Sequence, residues 1–306
     1  MKISIFGAGN VGSLAAMRIA QYCLGDVVMV DVLGDLAKGK ALDLEDARSA
    51  IGSDYHIRGS NNIEDIKGSG IVVITAGLAR RPGMTREELL AKNSSILKDI
   101  SAGVKKLAPE AIVIVVTNPL DLMTYLVLKV TGFKKQRVIG MGVSLDASRF
   151  ANIIAQEMKV PVSQVNAFVM GAHGESMLPL PSQTRVCGEM LSAVMDKERI
   201  CSAIKSTVNR GAEIVSALGS GSAFFAPSAA IAEMVKVIAL DKKEVVGACA
   251  FLEGEYGERD VCMGVPCCLG KDGIEKIIEF NLSQDEKDSF RKSVNATKEL
   301  IKGLPL

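Results

Sequence analysis

The sequence predicts an α/β protein: a doubly wound parallel sheet over 1–142, followed by an α+β domain over 143–306. Three observations carry this. Short β-branched runs alternate with helix-length amphipathic stretches through the first half. A glycine-rich turn joins the first strand to the first helix. The rhythm then changes after about residue 141. At 306 residues the chain is long for a single core and suits about two domains of roughly 100–200 residues each.

Runs at 3–6, 27–30, 71–74, 112–116 and 138–139 read as strands, separated by helices near 11–22, 35–48, 87–107 and 120–129. The run Ile112-Val113-Ile114-Val115-Val116 lacks alternation, which suits a strand covered on both faces. Strands alternating with helices imply right-handed crossovers and a parallel sheet. Beyond 141, a helix at 146–158 leads past Pro161 to a strand at 165–170 and the loop Gly171-Ala172-His173-Gly174. Helices at 196–218 and 228–240, strands at 245–251 and 261–268 and a charged helix at 284–302 complete the α+β half. No low-complexity linker or internal repeat occurs, so the halves are expected to pack tightly.

Hydrophobic residues make up 48% and charged residues 23%, enough apolar surface to offset the ordering entropy that keeps disordered chains unfolded. The net charge of +1, from 36 basic and 35 acidic residues, argues against a polyanion-binding surface and a nucleic-acid partner. Seven cysteines without a Cys-x-x-Cys spacing read as reduced packing residues, and no ligand spacing suggests a metal. In a strand, Cys267 and Cys268 would face opposite ways. The apolar run at 3–6 is too short for a signal-peptide core, and no stretch of about 18 apolar residues exists. A cytoplasmic protein with no membrane partner is expected.

Gly7-Ala8-Gly9-Asn10-Val11-Gly12 follows the first strand and opens a helix. In that context the motif is the fingerprint of a Rossmann dinucleotide-binding unit. Gly7 permits the tight turn, Gly9 admits a pyrophosphate to the backbone, and Gly12 allows close helix–strand packing. The helix N-terminus offers unpaired N–H groups to phosphate. Asp31 ends the second strand, nineteen residues after Gly12, where a carboxylate accepts from the ribose hydroxyls and repels a 2′-phosphate. NAD is therefore favoured over NADP. Tyr125 and Lys129 have the spacing of a Tyr-x-x-x-Lys catalytic pair, but Tyr125 sits among apolar residues and reads as core packing, with the lysine reaching outward.

Histidine occurs twice. His56 has the alternation of a short edge strand and reads as structural. His173 lies on a glycine-flanked loop just after a strand and is the acid/base candidate. Asp146 and Arg149, three apart at a helix start, share one helical face, where an ordinary ion pair is the plain alternative. The loop carrying Arg80, Arg81 and Arg86 follows the end of the 71–74 strand, where doubly wound sheets bind ligands. Guanidinium groups there would receive carboxylates.

Taken together, these blocks closely resemble the lactate/malate dehydrogenases, and within them the lactate-dehydrogenase-like malate dehydrogenases. The resemblance spans essentially the whole chain and rests on 7–12, Asp31, Thr75-Ala76-Gly77, 80–86, Val116-Thr117-Asn118-Pro119, 145–150 and 171–175, in family order. It departs only in small ways, with Cys262, Cys267 and Cys268 where plain strand residues are expected. The resemblance implies reversible NAD-dependent oxidation of L-malate to oxaloacetate by a homo-oligomer, with NAD on 1–142 and substrate on 143–306. Asn93, Val116, Thr117 and Asn118 would join the cofactor site. His173 would move the hydroxyl proton, held by Asp146. Arg149 would clamp the C1 carboxylate, Arg86 would polarise the C2 oxygen, Asn118 would align it, and Arg80 would pair with the second carboxylate. A lactate or other 2-hydroxyacid dehydrogenase, or a non-catalytic NAD-binding protein, are the alternatives.

Overall fold

The computed structural model describes residues 1–78 and 85–305, Arg86 by its backbone only. Of the expected arginine loop, Arg80 and Arg81 lie outside the described residues, as does the Arg86 side chain. The first half runs β1 (Lys2–Phe6), α1 (Asn10–Gln21), β2 (Asp26–Val30), α2 (Gly34–Ile51), β3 (Ile57–Ser60), β4 (Ile71–Ile74), α3 (Arg86–Leu107), β5 (Ile112–Val115), α4 (Leu120–Thr131) and β6 (Val138–Gly140). Then come α5 (Val143–Met158), β7 (Val165–Asn166), β8 (Val169–Gly171), β9 (Met177–Pro179), β10 (Arg185–Val186) and β11 (Glu189–Met190). The chain closes with α6 (Leu191–Val194), α7 (Lys197–Leu218), α8 (Phe225–Ala239), β12 (Glu244–Glu253), β13 (Arg259–Gly270), β14 (Gly273–Ile277) and α9 (Gln284–Lys302).

Six parallel strands in the order β3-β2-β1-β4-β5-β6 form the doubly wound sheet. The strand order reverses between β1 and β4, the position where ligands enter such sheets. β4 and β5 are buried throughout, as unalternating β-branched runs require. Their odd and even residues feed separate cores. Ile71 and Val73 pack with α1 and α8, whereas Val72 and Ile74 pack with α3 and α4.

The sheet does not stop at β6. β12 pairs antiparallel with β6 through Cys249 and Gly140, and β13, β8 and β9 follow, so one sheet runs through both halves. The core of the first half continues into Ile231, Val235, Ala248 and Met263. That is the tight packing expected of a chain without a linker.

Several expectations needed correction. The expected strand at 165–170 is broken into β7 and β8, which belong to different sheets. Between them Phe168 turns to pack edge-on against Phe280, ring centroids 4.9 Å apart. Cys23, Cys187 and Cys201 are exposed rather than packed. The first two occupy left-handed turn positions at φ 52° and 51°. Cys267 is buried and Cys268 half-buried on β13, consistent with opposite faces, and Cys262 is buried. His56 is exposed beside the edge strand β3. Tyr125 packs in the core and its hydroxyl donates to Asp260 at 3.0 Å, with Lys129 paired to the same carboxylate. Among the described residues no helix is long and apolar enough to cross a membrane.

Gly264 sits where β13 packs closely against the start of α5 and the end of β8. A Cβ there would sit 2.2 Å from Val143 Cγ1 and 2.6 Å from the Gly171 carbonyl oxygen. Gly264→Ala should therefore cost about 1–3 kcal/mol by overpacking. Gly39, inside α2 with nothing within 4 Å, is the opposite case. Gly39→Ala should gain roughly 0.5–1 kcal/mol from helix propensity. Urea unfolding of both variants checks the pair, and equal effects of one sign would contradict it.

Candidate active site

The carboxyl ends of β1, β2 and β4 open onto a cavity of about 640 Å³. Gly7, Gly9, Asn10, Val11, Gly12 and Asp31 line it, and Gly221, Ser222 and Phe224 approach from the C-terminal half. The three glycines divide the work as their spacing implies. Gly7 has φ +99°, and a Cβ on it would be 2.7 Å from Thr75 Oγ1. A Cβ on Gly12 would lie 1.9 Å from the Gly7 carbonyl oxygen, whereas one on Gly9 would meet nothing within 4 Å. The first and third therefore hold the turn closed against β4, and the middle one leaves open space before α1. No side chain caps α1, so its first N–H groups remain for an anion. This cradle fits the pyrophosphate of a dinucleotide.

Asp31 fixes the loop's other side. Its Oδ2 accepts from the Ala8 N–H at 2.7 Å and its Oδ1 from the Leu33 N–H at 2.9 Å. Each carboxylate oxygen keeps a lone pair for a ribose hydroxyl. The Ala8 carbonyl accepts from Lys40 Nζ at 2.8 Å, a contact sequence reasoning missed. Ala8 itself is fully buried. Asn93 is also fully buried: its Oδ1 accepts from the Leu78 N–H at 2.8 Å, and its Nδ2 donates to the Asn118 carbonyl at 2.7 Å. Thr117 Oγ1 donates to the Ala76 carbonyl at 2.6 Å. Ala8, Asn93, Val116, Thr117 and Asn118 do not line the cavity. Asn93 and Thr117 tie the segment after β4 to the segment after β5, and Ala8 ties the glycine turn to Asp31.

His173 stands beyond the carboxyl ends of β5 and β6. Its backbone N–H donates to Asp121 at the start of α4, and a Cβ on Gly142, just after β6, would be 3.0 Å from its own Cβ. Nδ1 lies 2.7 Å from Asp146 Oδ2. Because a carboxylate only accepts, Nδ1 carries the proton and Nε2 is the working atom. Asp146 is fully buried, and its Oδ1 accepts from Arg149 Nη1 at 3.2 Å. The i,i+3 ion pair therefore exists, and it shares its carboxylate with the histidine. Arg149 Nε is buried with no acceptor among the described residues.

Burial of His173 disfavours the imidazolium, but the charge and hydrogen bond of Asp146, with Asp121 adding, more than offset it. Its pKa is therefore raised above the ordinary value, even with Arg149 opposing. Residues far apart in sequence thus form one imidazole–carboxylate–guanidinium array. That array can exchange a proton beside a bound anion.

Residues 1–140 match the model of the lactate/malate dehydrogenase NAD binding domain, and 143–304 match that of the family's alpha/beta C-terminal domain. The chain belongs to the lactate/malate dehydrogenase family. It is an NAD-dependent oxidoreductase with that family's fold. The malate dehydrogenase of Methanosarcina barkeri is 45% identical over 305 residues, covering 100% of this chain and 99% of that one. The malate dehydrogenase of Halalkalibacterium halodurans is 45% identical over 306 residues, covering 99% and 98%. Among solved structures, Cryptosporidium parvum malate dehydrogenase superposes with a TM-score of 0.96 at 40% identity, covering 99% of this chain and 98% of that one. The lactate dehydrogenase of the same organism, complexed with lactic acid and NAD, gives 0.96 at 38%, covering 99% and 97%.

As a dehydrogenase of this family, the chain should use NADH with kcat/KM far above that for NADPH, because Asp31 repels a 2′-phosphate. Asp31→Ser should narrow the gap. Comparable kcat/KM values for the two cofactors with the unmodified protein would contradict that role.

Proposed function

We propose that this protein is a malate dehydrogenase that interconverts L-malate and oxaloacetate, with 1–142 holding NAD and 143–306 supplying the proton-transfer group and the clamp for the C1 carboxylate. The observation that carries the proposal is the 2.7 Å contact of His173 Nδ1 with the buried Asp146. A silent NAD-binding protein has no use for such an array. NAD, bound in the glycine-lined cavity, supplies the hydride acceptor.

In malate oxidation neutral His173 takes the hydroxyl proton at Nε2, and Asp146 stabilises the imidazolium that forms. In oxaloacetate reduction the imidazolium returns it. Arg149 clamps the C1 carboxylate through donors not spent on Asp146. Arg86 polarises the C2 oxygen and Asn118 aligns it. Arg80 takes the second carboxylate. The family resemblance supports these last roles.

The fold itself does not choose the substrate, since malate and lactate dehydrogenases superpose on it equally well. The second carboxylate does. Desolvating it without a partner is costly, and a guanidinium supplies two charge-assisted hydrogen bonds, whereas pyruvate would leave Arg80 unpaired. Exposed apolar side chains Leu33, Leu36 and Leu42 at and along α2 support a homo-oligomer, which sizing in solution tests. The cytoplasm is its proposed location. NADH oxidation assayed with oxaloacetate, with pyruvate and with no keto acid tests the substrate directly. A rate with pyruvate above that with oxaloacetate would refute the assignment.

His173→Ala should lower kcat by roughly 10²–10⁴-fold while leaving the NADH dissociation constant nearly unchanged. Reduction needs the imidazolium, so its rate should hold at low pH and fall as pH rises through the His173 midpoint. The raised pKa puts that midpoint above about 6.5. Oxidation should show the mirror image. A reduction limb below about 6.5 would contradict the assigned role.

Arg80→Gln should cut kcat/KM for oxaloacetate by roughly 30-fold to several thousand-fold, the equivalent of about 2–5 kcal/mol, and should raise activity on pyruvate. Arg81→Gln should change little. The reverse outcome would shift the loop's register by one residue.

A further inference from the structure

The reaction leaves a buried carboxyl group beside His173 unused. Asp121 lies in the first turn of α4, three residues past Asn118, and is 5% exposed. Its Oδ2 accepts the His173 backbone N–H at 2.9 Å, across 52 residues of sequence. Oδ1 is buried with no hydrogen-bond partner among the described residues. The Cys249 thiol of β12 is the carboxyl's other polar neighbour. A carboxyl group so placed is expensive to bury, and an apolar side chain of its size would avoid the cost. What it holds in return is the backbone of the residue that moves the proton.

We propose that Asp121 is a positioning residue for the proton transfer: with Asp146 it grips His173 at both ends, Asp121 on the backbone N–H and Asp146 on the ring. The two carboxyl groups come from the first turns of different helices, α4 and α5. α4 follows β5 directly, so this contact fixes the imidazole relative to the parallel sheet that carries the cofactor cradle. α5 follows β6, the neighbouring strand, so the two contacts hold the imidazole from adjacent strands of that sheet. The charged and titratable groups that bear on His173 are Asp146 and Arg149 from α5 and Asp121 from α4, with Cys249 beside Asp121. Burial pushes the Asp121 carboxyl above the usual carboxylate range, while the nearby imidazolium draws it down. In turn its negative charge favours the imidazolium.

The inference rests on His173 being the proton carrier, and the tests separate the two. Asp121→Asn keeps the size and an acceptor oxygen but removes the charge; Asp121→Ala removes both. The chain has only two histidines, so imidazole NMR resolves His173, with a His56→Gln variant identifying the signals. Asp121→Asn should keep plateau kcat within about fivefold while moving the His173 midpoint, and the pH limb of oxaloacetate reduction, to lower pH. Asp121→Ala should lose at least about tenfold in kcat at nearly unchanged KM, because a misplaced imidazole harms the chemical step and not binding. An unmoved His173 midpoint in Asp121→Asn overturns the proposal. So does a folded Asp121→Ala with full kcat, or one changed only in KM. If Asp121→Ala does not fold, the Asn variant decides alone. Full turnover by His173→Asn would instead remove the underlying reading, whatever Asp121 does.

Discussion

A fully buried carboxylate cannot stand alone in a protein interior, and Asp146 answers that constraint with both of its oxygens. One holds the His173 ring at 2.7 Å and the other the Arg149 guanidinium at 3.2 Å. From this follow the tautomer of the histidine, the raised basicity of its ring and the placement of the arginine beside both. Removing either partner would leave charge stranded in the core. Catalytic geometry and local stability are therefore the same set of contacts.

The sheet makes those contacts available. β6 passes the ladder to β12 across the boundary between the halves, and the loop after β8 meets the chain just beyond the carboxyl ends of β5 and β6. A relay of polar contacts then joins cofactor cradle to proton carrier. Leu78 lines the cavity and is held by Asn93, Asn93 holds Asn118, and α4, which begins just after Asn118, presents Asp121 to His173. Hydride and proton chemistry must occur within a few ångströms of each other, and this relay gives the two sites a common frame. Since both a malate and a lactate dehydrogenase share the frame, the frame alone does not choose the substrate.

What the sequence made legible was what is determined locally. Buried β-branched runs such as 112–115 and the cradle glycines announce themselves because each obeys a steric rule within a few residues. The Asp146–Arg149 pair is visible as a helical i,i+3 spacing, but its sharing with His173 joins residues 27 apart and has no periodic trace. Asp121 is hidden for the same reason. In Leu120-Asp121-Leu122-Met123 it looks like an ordinary first-turn acid, and only the fold shows it buried under His173. The break between β7 and β8 was illegible because Phe168 has a strand-forming side chain, and only its distant partner Phe280 explains the turn. The two- and three-residue strands β9, β10 and β11 carry too few residues for any pattern.

The central claim is that His173 holds the substrate's proton during the chemical step. Stopped-flow malate oxidation in weakly buffered solution, with NADH absorbance and an indicator dye followed together, tests it most directly. Just above the His173 midpoint, where the neutral imidazole still predominates, the first turnover should form NADH before the proton reaches solvent, because the imidazolium retains it until product leaves. Proton release in step with NADH formation, unchanged in His173→Asn, would contradict the account.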